Sequence, residues 1–421
     1  MMKTNFQVLI IGAGAGGIMA ASQLMKKRPG LNIGIIDPAD MHYYQPAWTL
    51  VGANAYKFKK TGKPMKKMIP KGVTWIKEHA EKFEPENNKV FTKEGTELSY
   101  QYLVVAPGLK IDPTMIEGLA ESLGEGVVCS NYTDPEHTWE VLKNFKGGNA
   151  LFTQPTTPIK CGGAPQKIAY LAADYLRKNN LSDKSNVIFA TPGSVIFGVK
   201  PIAHTLMHVV SHYDIHFKPF HAPIRIDGKN KKAYFNFSDD LKNECVVNED
   251  NMINSKIIGE STVEIPFEML HIAPPQRAPD FVKNSPLALE SGWLDVDKHT
   301  LQSNVHKNIF GLGDICGVPT AKTAAAIRKQ APVVVENIVK LMEEDKMTDM
   351  SYNGYSSCPL VTGYGKMVLA EFDYDKNFTP DPKLKQMLVF NSDKEHWRLW
   401  MLKKHILPHL YWNKMMKGQQ V

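Results

Sequence analysis

Short apolar runs alternate along the chain with stretches of helical period. Phe6-Gln7-Val8-Leu9-Ile10-Ile11 reads as a buried parallel strand, and Ile18-Met19-Ala20-Ala21-Ser22-Gln23-Leu24 as the helix after it. Ile33-Gly34-Ile35-Ile36, Tyr102-Leu103-Val104-Val105, Asn186-Val187-Ile188-Phe189-Ala190 and Asn308-Ile309-Phe310-Gly311 predict further strands, the last followed by a helix over roughly 320–343. Strands alternating with helices in this way predict an α/β fold. Near the end, Leu399, Leu402, Ile406 and Leu410 share one helical stripe and Trp400, Leu407, Tyr411 and Met415 a neighbouring one, with Pro408 expected to break the segment into two short helices.

The first strand and helix are joined by Gly12-Ala13-Gly14-Ala15-Gly16-Gly17. In such a turn Gly12 permits the tight bend, Gly14 lets a pyrophosphate approach the backbone, and Gly17 lets the helix pack closely on the strand. The second strand ends at Asp37, twenty positions after Gly17, where a ribose-binding acid belongs. The restart at residues 186–190 has no such turn: Thr191-Pro192-Gly193-Ser194 follows it, and no acid closes the next strand near Ile215-His216-Phe217. That restart therefore carries no fingerprint for NAD.

Composition narrows the class. The 421 residues carry 50 Lys+Arg against 43 Asp+Glu, a formal charge of +7, with 43% hydrophobic residues, a balance that excludes a disordered or low-complexity chain. A chain above roughly 250–300 residues divides into domains. No run of about 18 apolar residues predicts a spanning helix, and the start of the chain lacks the charged head and apolar stretch of a signal peptide. Lys57, Lys59, Lys60, Lys63, Lys66, Lys67 and Lys71 crowd one segment, but Phe58 is the one aromatic among them, so no nucleic-acid partner is expected. The five cysteines, Cys129, Cys161, Cys245, Cys316 and Cys358, are too few for a disulfide scaffold and too scattered for a metal finger, so no metal is expected.

Cys161 lies just ahead of a predicted helix that Pro165 opens, with Lys160 and Lys167 close by. A helix N-terminus and two cations both favour thiolate. Cys358, in Tyr355-Ser356-Ser357-Cys358-Pro359-Leu360-Val361-Thr362-Gly363-Tyr364, is expected on a fixed loop.

The glycine turn, the late strand ending in Gly313-Asp314, and Ala106-Pro107-Gly108 resemble the flavoprotein disulfide reductase superfamily. That resemblance implies FAD, held by Gly12, Gly14, Gly17, Asp37, Ala106, Gly108, Gly313 and Asp314, on two glutathione-reductase-like, Rossmann-like domains. It places the FAD domain in residues 1–115 and 300–345, the second domain in 116–299, and a C-terminal region with an amphipathic membrane contact in 346–421. Lys322 would set a positive charge beside the flavin.

His42 to Gly52, Ile159 to Lys167, Ile196 to Lys200, Tyr355 to Tyr364 and Leu410 to Asn413 resemble the sulfide:quinone oxidoreductase family end to end, on the branch with the mitochondrial enzyme. The resemblance implies a redox pair of Cys161 and Cys358 that takes hydrogen sulfide, with Cys358 carrying the persulfide and Cys161 attacking flavin C4a. The electrons pass to ubiquinone or menaquinone in a membrane, and glutathione, sulfite, cyanide or sulfide accepts the sulfur. It also makes Cys129 a candidate auxiliary cysteine and leaves Cys245 and Cys316 structural. With the amphipathic tail, a peripheral protein of the bacterial inner membrane is expected, with a homo-oligomer left open. A type II NADH:quinone oxidoreductase-like enzyme and a non-catalytic flavin-bound redox sensor are the competing readings.

Overall fold

A computed structural model describes residues 4–237 and 250–420. The apolar run at the start forms β1 (Asn5–Ile11), whose neighbours are β2 (Ile33–Ile36) on one side and β6 (Glu97–Val105) on the other, all parallel. β3 (Thr74–Ile76) extends the sheet beyond β2, and the antiparallel strands β4 (Ala80–Glu84) and β5 (Lys89–Thr92) extend it beyond β6. The near-continuous burial of β1 and β2 is what a parallel sheet covered on both faces requires. Helix α1 (Ala15–Lys27) covers one face.

A second sheet, wholly parallel, has the order β7 (Val128–Cys129), β11 (Met269–Ile272), β8 (Gly148–Thr153), β9 (Ser185–Ala190), β10 (His216–Lys218). Helices α2 (Ala164–Lys178) and α3 (Lys200–His212) connect its strands. An antiparallel meander, Ala222–Asp227, Lys232–Asn236, Thr262–Pro266 and Lys256–Ile258, packs beside it. The chain then returns to the first sheet: β12 (Ile309–Gly311) pairs with β6, and α4 (Ala324–Glu344) lies against α1.

Two sequence expectations change here. The segment around Cys358 is a strand, β13 (Ser356–Gly363), paired antiparallel with β14 (Lys366–Phe372). Both of its faces are buried, so the alternation that marks a half-exposed strand is missing, and Pro359 fits because a two-stranded ribbon leaves each strand a free edge. In the tail, Pro408 does not divide the segment. Helix α5 (Trp397–Met401) runs through a π-helical turn, Leu402–Ile406, directly into α6 (Leu407–Asn413), and Pro408 sits in the first turn of α6, where a missing N–H costs little.

Much of the tail packs on its own body. Leu399, Trp400 and Leu402 join the core containing the β13–β14 hairpin, while Tyr411, Trp412, Met415 and Met416 join that under the first sheet. Tyr411 is hydrogen-bonded to His42 Nε2 at 2.6 Å, and Lys63 of the lysine-rich segment lies 4.5 Å from the Trp412 ring. Leu388, Phe390, Trp397, Met401 and Ile406 stay exposed. Cys245 lies outside the described residues.

Candidate active site

The glycine turn gives each small residue its own reason. A Cβ on Gly12, at φ +94°, would meet the Ala106 carbonyl oxygen at 2.4 Å, and one on Gly17 would meet the Gly12 oxygen at 1.8 Å. A Cβ on Gly14 or Gly108 would meet nothing within 4 Å. Both border a cavity of about 750 Å³, toward the upper end of the roughly 300–1,000 Å³ common for cofactor and ligand sites. Asp37 closes one end. Its two carboxylate oxygens accept N–H groups from Ala13 at 2.7 Å and Ala39 at 2.8 Å, and each keeps lone-pair capacity for a ribose hydroxyl. Ala106, Gly313, Asp314 and Lys322 line the same cavity. So does Asn131, whose buried amide has no protein partner for either polar atom. A polar ligand with a diphosphate at Gly14 and a ribose at Asp37, as in FAD, suits these walls.

Lys322 is turned away from a simple surface role. Its ammonium donates to the Asp314 carbonyl and, at 3.2 Å, to that of Cys316, and it lies 3.8 Å from the Trp293 ring centroid. Its backbone oxygen accepts the Cys161 N–H at 2.7 Å, so the cysteine loop is fastened to the entry of α4.

At the inner wall, Cys161 and Cys358, 197 positions apart in sequence, face each other with Sγ atoms 3.9 Å apart. Cys161 adopts a left-handed backbone, φ +56°, a sparsely populated conformation for a side chain larger than glycine's, just before α2. Gly163 explains the approach of the pair: a Cβ there would stand 2.7 Å from Cys358 Sγ and 2.5 Å from Leu360. Lys167, buried on the first turns of α2, donates to Cys161 Sγ at 2.9 Å. Lys160 points elsewhere, to Gln45 Oε1 at 2.6 Å. The hydrogen bond from Cys358 and the Lys167 ammonium together hold the Cys161 thiol well below its ordinary pKa, and the same hydrogen bond with burial pushes Cys358 up. Cys161 borders the 750 Å³ cavity, while Cys358 borders a second one of about 650 Å³, walled also by Phe197, Trp293 and Phe372.

Lys403 is buried in the π-turn and donates to the Pro46 carbonyl at 2.7 Å. Burial first, then Lys167, bring its pKa down to about 7. Its position between Leu399 and Leu407 at four-residue spacing on the apolar face was the available signal. Of the other two described cysteines, Cys316 borders the 650 Å³ cavity with Cys358, while Cys129 lines neither cavity. Cys129, in β7, donates to the Leu270 carbonyl at 3.4 Å, and burial pushes its thiol up to about 12. Cys316 is likewise buried and raised to about 12, with its carbonyl on Lys322.

Residues 6–142 match the model of the pyridine nucleotide-disulphide oxidoreductase family. The chain is 40% identical to the mitochondrial sulfide:quinone oxidoreductase of Mus musculus over 99% of this chain and 87% of that one, and 40% identical, with the same shares covered, to the protein of that name from Dictyostelium discoideum. The chain belongs to the sulfide:quinone oxidoreductase family. Its fold is also that of the sulfide:quinone oxidoreductase of Aquifex aeolicus, with a TM-score of 0.77 at 20% identity over 99% of this chain and 92% of the other. Among the described residues of this family member, no helix is long and apolar enough to cross a membrane.

Proposed function

We propose that this FAD-dependent oxidoreductase oxidises hydrogen sulfide at Cys161 and Cys358 and passes the electrons to a membrane quinone. The observation that carries the site assignment is the Cys161–Cys358 pair at 3.9 Å with the Lys167 ammonium on Cys161. When the two sulfurs are bridged, hydrosulfide attacks the sulfur of Cys358 and the bridge breaks. Cys358 keeps the new sulfur as a persulfide, and Cys161 leaves as a thiolate that Lys167 holds. A small nucleophile, glutathione, sulfite, cyanide or sulfide, then takes the outer sulfur and frees the Cys358 thiolate. The two thiolates rejoin, releasing an electron pair. FAD, when bound, accepts that pair and relays it to the quinone.

The 650 Å³ cavity at Cys358 suits entry of sulfide and the sulfur acceptor. The lobe of the larger cavity bordered by Leu384, Met387, Ile406, Leu407 and Leu410 suits ubiquinone or menaquinone. Exposed Leu388, Phe390, Trp397, Met401 and Ile406, with Lys385, Lys394, Arg398 and Lys404 among them, suit a peripheral seat on an anionic lipid surface, that of a bacterial inner membrane in this reading. Gly12, Gly14, Gly17, Asp37, Ala106, Gly108, Gly313 and Asp314 hold FAD, and Lys322 contributes charge beside it.

An anaerobic titration of the purified holoprotein tests this reading. Sulfide should bleach the flavin, NADH should not, and added quinone should restore the colour. Bleaching by NADH with indifference to sulfide would establish the NADH:quinone alternative instead.

A further inference from the structure

Glu371 of β14 is buried to 1% exposure, yet it borders the same cavity as Cys161 and the tail. The sulfide chemistry makes no use of it. It accepts a hydrogen bond from the Tyr355 hydroxyl and, at 2.9 Å, from the Asp381 N–H. Arg328 of α4 stands 3.7 Å from its Oε1 and donates to the same tyrosine oxygen. Pro359 and Leu369 of the hairpin, then Leu384 and Met387, give the cavity wall an apolar share, with Ser357 and Gln386 among them. Burial outweighs these partners and raises the carboxyl pKa above the usual glutamate value. The titratable and charged groups on the elements around it are Arg328, Tyr355 and Asp381, with Lys383 on the same cavity wall.

We propose that Glu371 is the proton donor to the quinone, positioned by Tyr355 and Arg328. The inference rests on the quinone reading above and assigns the group that completes it. Reduction of a quinone to its quinol takes two electrons and two protons. The bound flavin supplies the electrons. One quinol O–H forms as the O–H of Glu371 breaks, and the carboxylate left behind is held by the Tyr355 hydroxyl, the Asp381 N–H and Arg328. Water at the cavity mouth supplies the second proton and restores the one on Glu371. An acid next to the acceptor and shielded from bulk water delivers its proton without letting water flood an apolar site.

The test separates the two half-reactions of the holoprotein in anaerobic stopped flow. Glu371→Gln keeps the shape and removes the acid. Sulfide should bleach its flavin at the unaltered rate, whereas reoxidation of the dithionite-reduced variant by a short-chain ubiquinone analogue should slow at least about tenfold at saturating quinone. The pH dependence of that step should disappear, and Glu371→Asp should restore part of the rate. Reoxidation at the unaltered rate overturns the proposal. So does a change confined to the quinone concentration at half-saturation, which would mark a binding group. If Glu371→Gln does not retain FAD, Tyr355→Phe carries the test: losing the hydroxyl donor should move the pH midpoint of reoxidation upward, and an unmoved midpoint overturns the assignment. If quinone does not reoxidise the dithionite-reduced parent protein, the acceptor reading itself has failed, independently of any variant.

Discussion

Individual side chains set the chemistry through a few contacts. Substituting Cys161 or Cys358 with Ser should abolish sulfide-dependent quinone reduction while FAD stays bound, as read by turnover and flavin absorbance; full turnover in either variant would remove the pair from the mechanism. Lys167→Met tests the thiolate. The ammonium at 2.9 Å favours the charged form of Cys161, so its loss should raise the pH midpoint of Cys161 alkylation. Lys403 gives a stability prediction of opposite origin. Its folded pKa of about 7 lies below the 10.5 of an ordinary lysine, so the unfolded chain binds this proton more readily than the folded one. Its contribution to stability is complete above pH 10.5 and is lost as the pH falls toward 7. The melting temperature of Lys403→Met minus that of the parent should therefore be larger at pH 7 than at pH 10, by several degrees. The cysteines and Lys167 were legible in the sequence, because a helix start can be read locally. Glu371 was not, since a lone glutamate in an apolar strand carries no sign of whether it meets solvent or a cavity.

At the scale of elements, the strand–turn–helix at the N-terminus was fully readable. Gly17 answers to the Gly12 oxygen five residues away and Gly12 to its own positive φ, while Gly14 leaves open space for a ligand. Gly17→Ala would force a Cβ to within 1.8 Å of the Gly12 oxygen and splay α1 from β1, so the variant should purify with FAD affinity lowered at least about tenfold, measured by flavin content and by titration of the apoprotein. The hairpin bearing Cys358 and the continuous tail helix were misread for related reasons. β13 is buried on both faces and loses its alternation, and a proline in a helix breaks it only where its ring meets a regular α-helical turn. The π-turn before Pro408 relaxes that conflict and places Lys403 inward.

Over the whole molecule, the tail divides its apolar residues between two tasks that periodicity does not separate. Leu399, Trp400, Tyr411 and Met415 bind the tail to the body, while Phe390, at 70% exposure, and Trp397, at 59%, face outward. Phe390→Glu with Trp397→Glu should weaken cosedimentation with anionic vesicles by at least about tenfold, since each large apolar side chain contributes up to about 1.5–3 kcal/mol when buried. Reduction of a soluble short-chain quinone should be unaffected. Unchanged vesicle binding would move the membrane contact elsewhere on the surface.

The sequence by itself determined the α/β pattern, the nucleotide turn, the absence of a second such turn after residue 190, and the two cysteine motifs. Each is a local matter of backbone sterics, side-chain period or chemistry within one short segment. Tertiary structure alone decided that Sγ atoms 197 positions apart lie 3.9 Å from each other, that a tail lysine is buried beside them, and which apolar tail residues remain exposed. Those outcomes depend on how the return strand, the hairpin and the tail pack against distant elements, and burial of that kind is a property of the assembled surfaces rather than of any one segment.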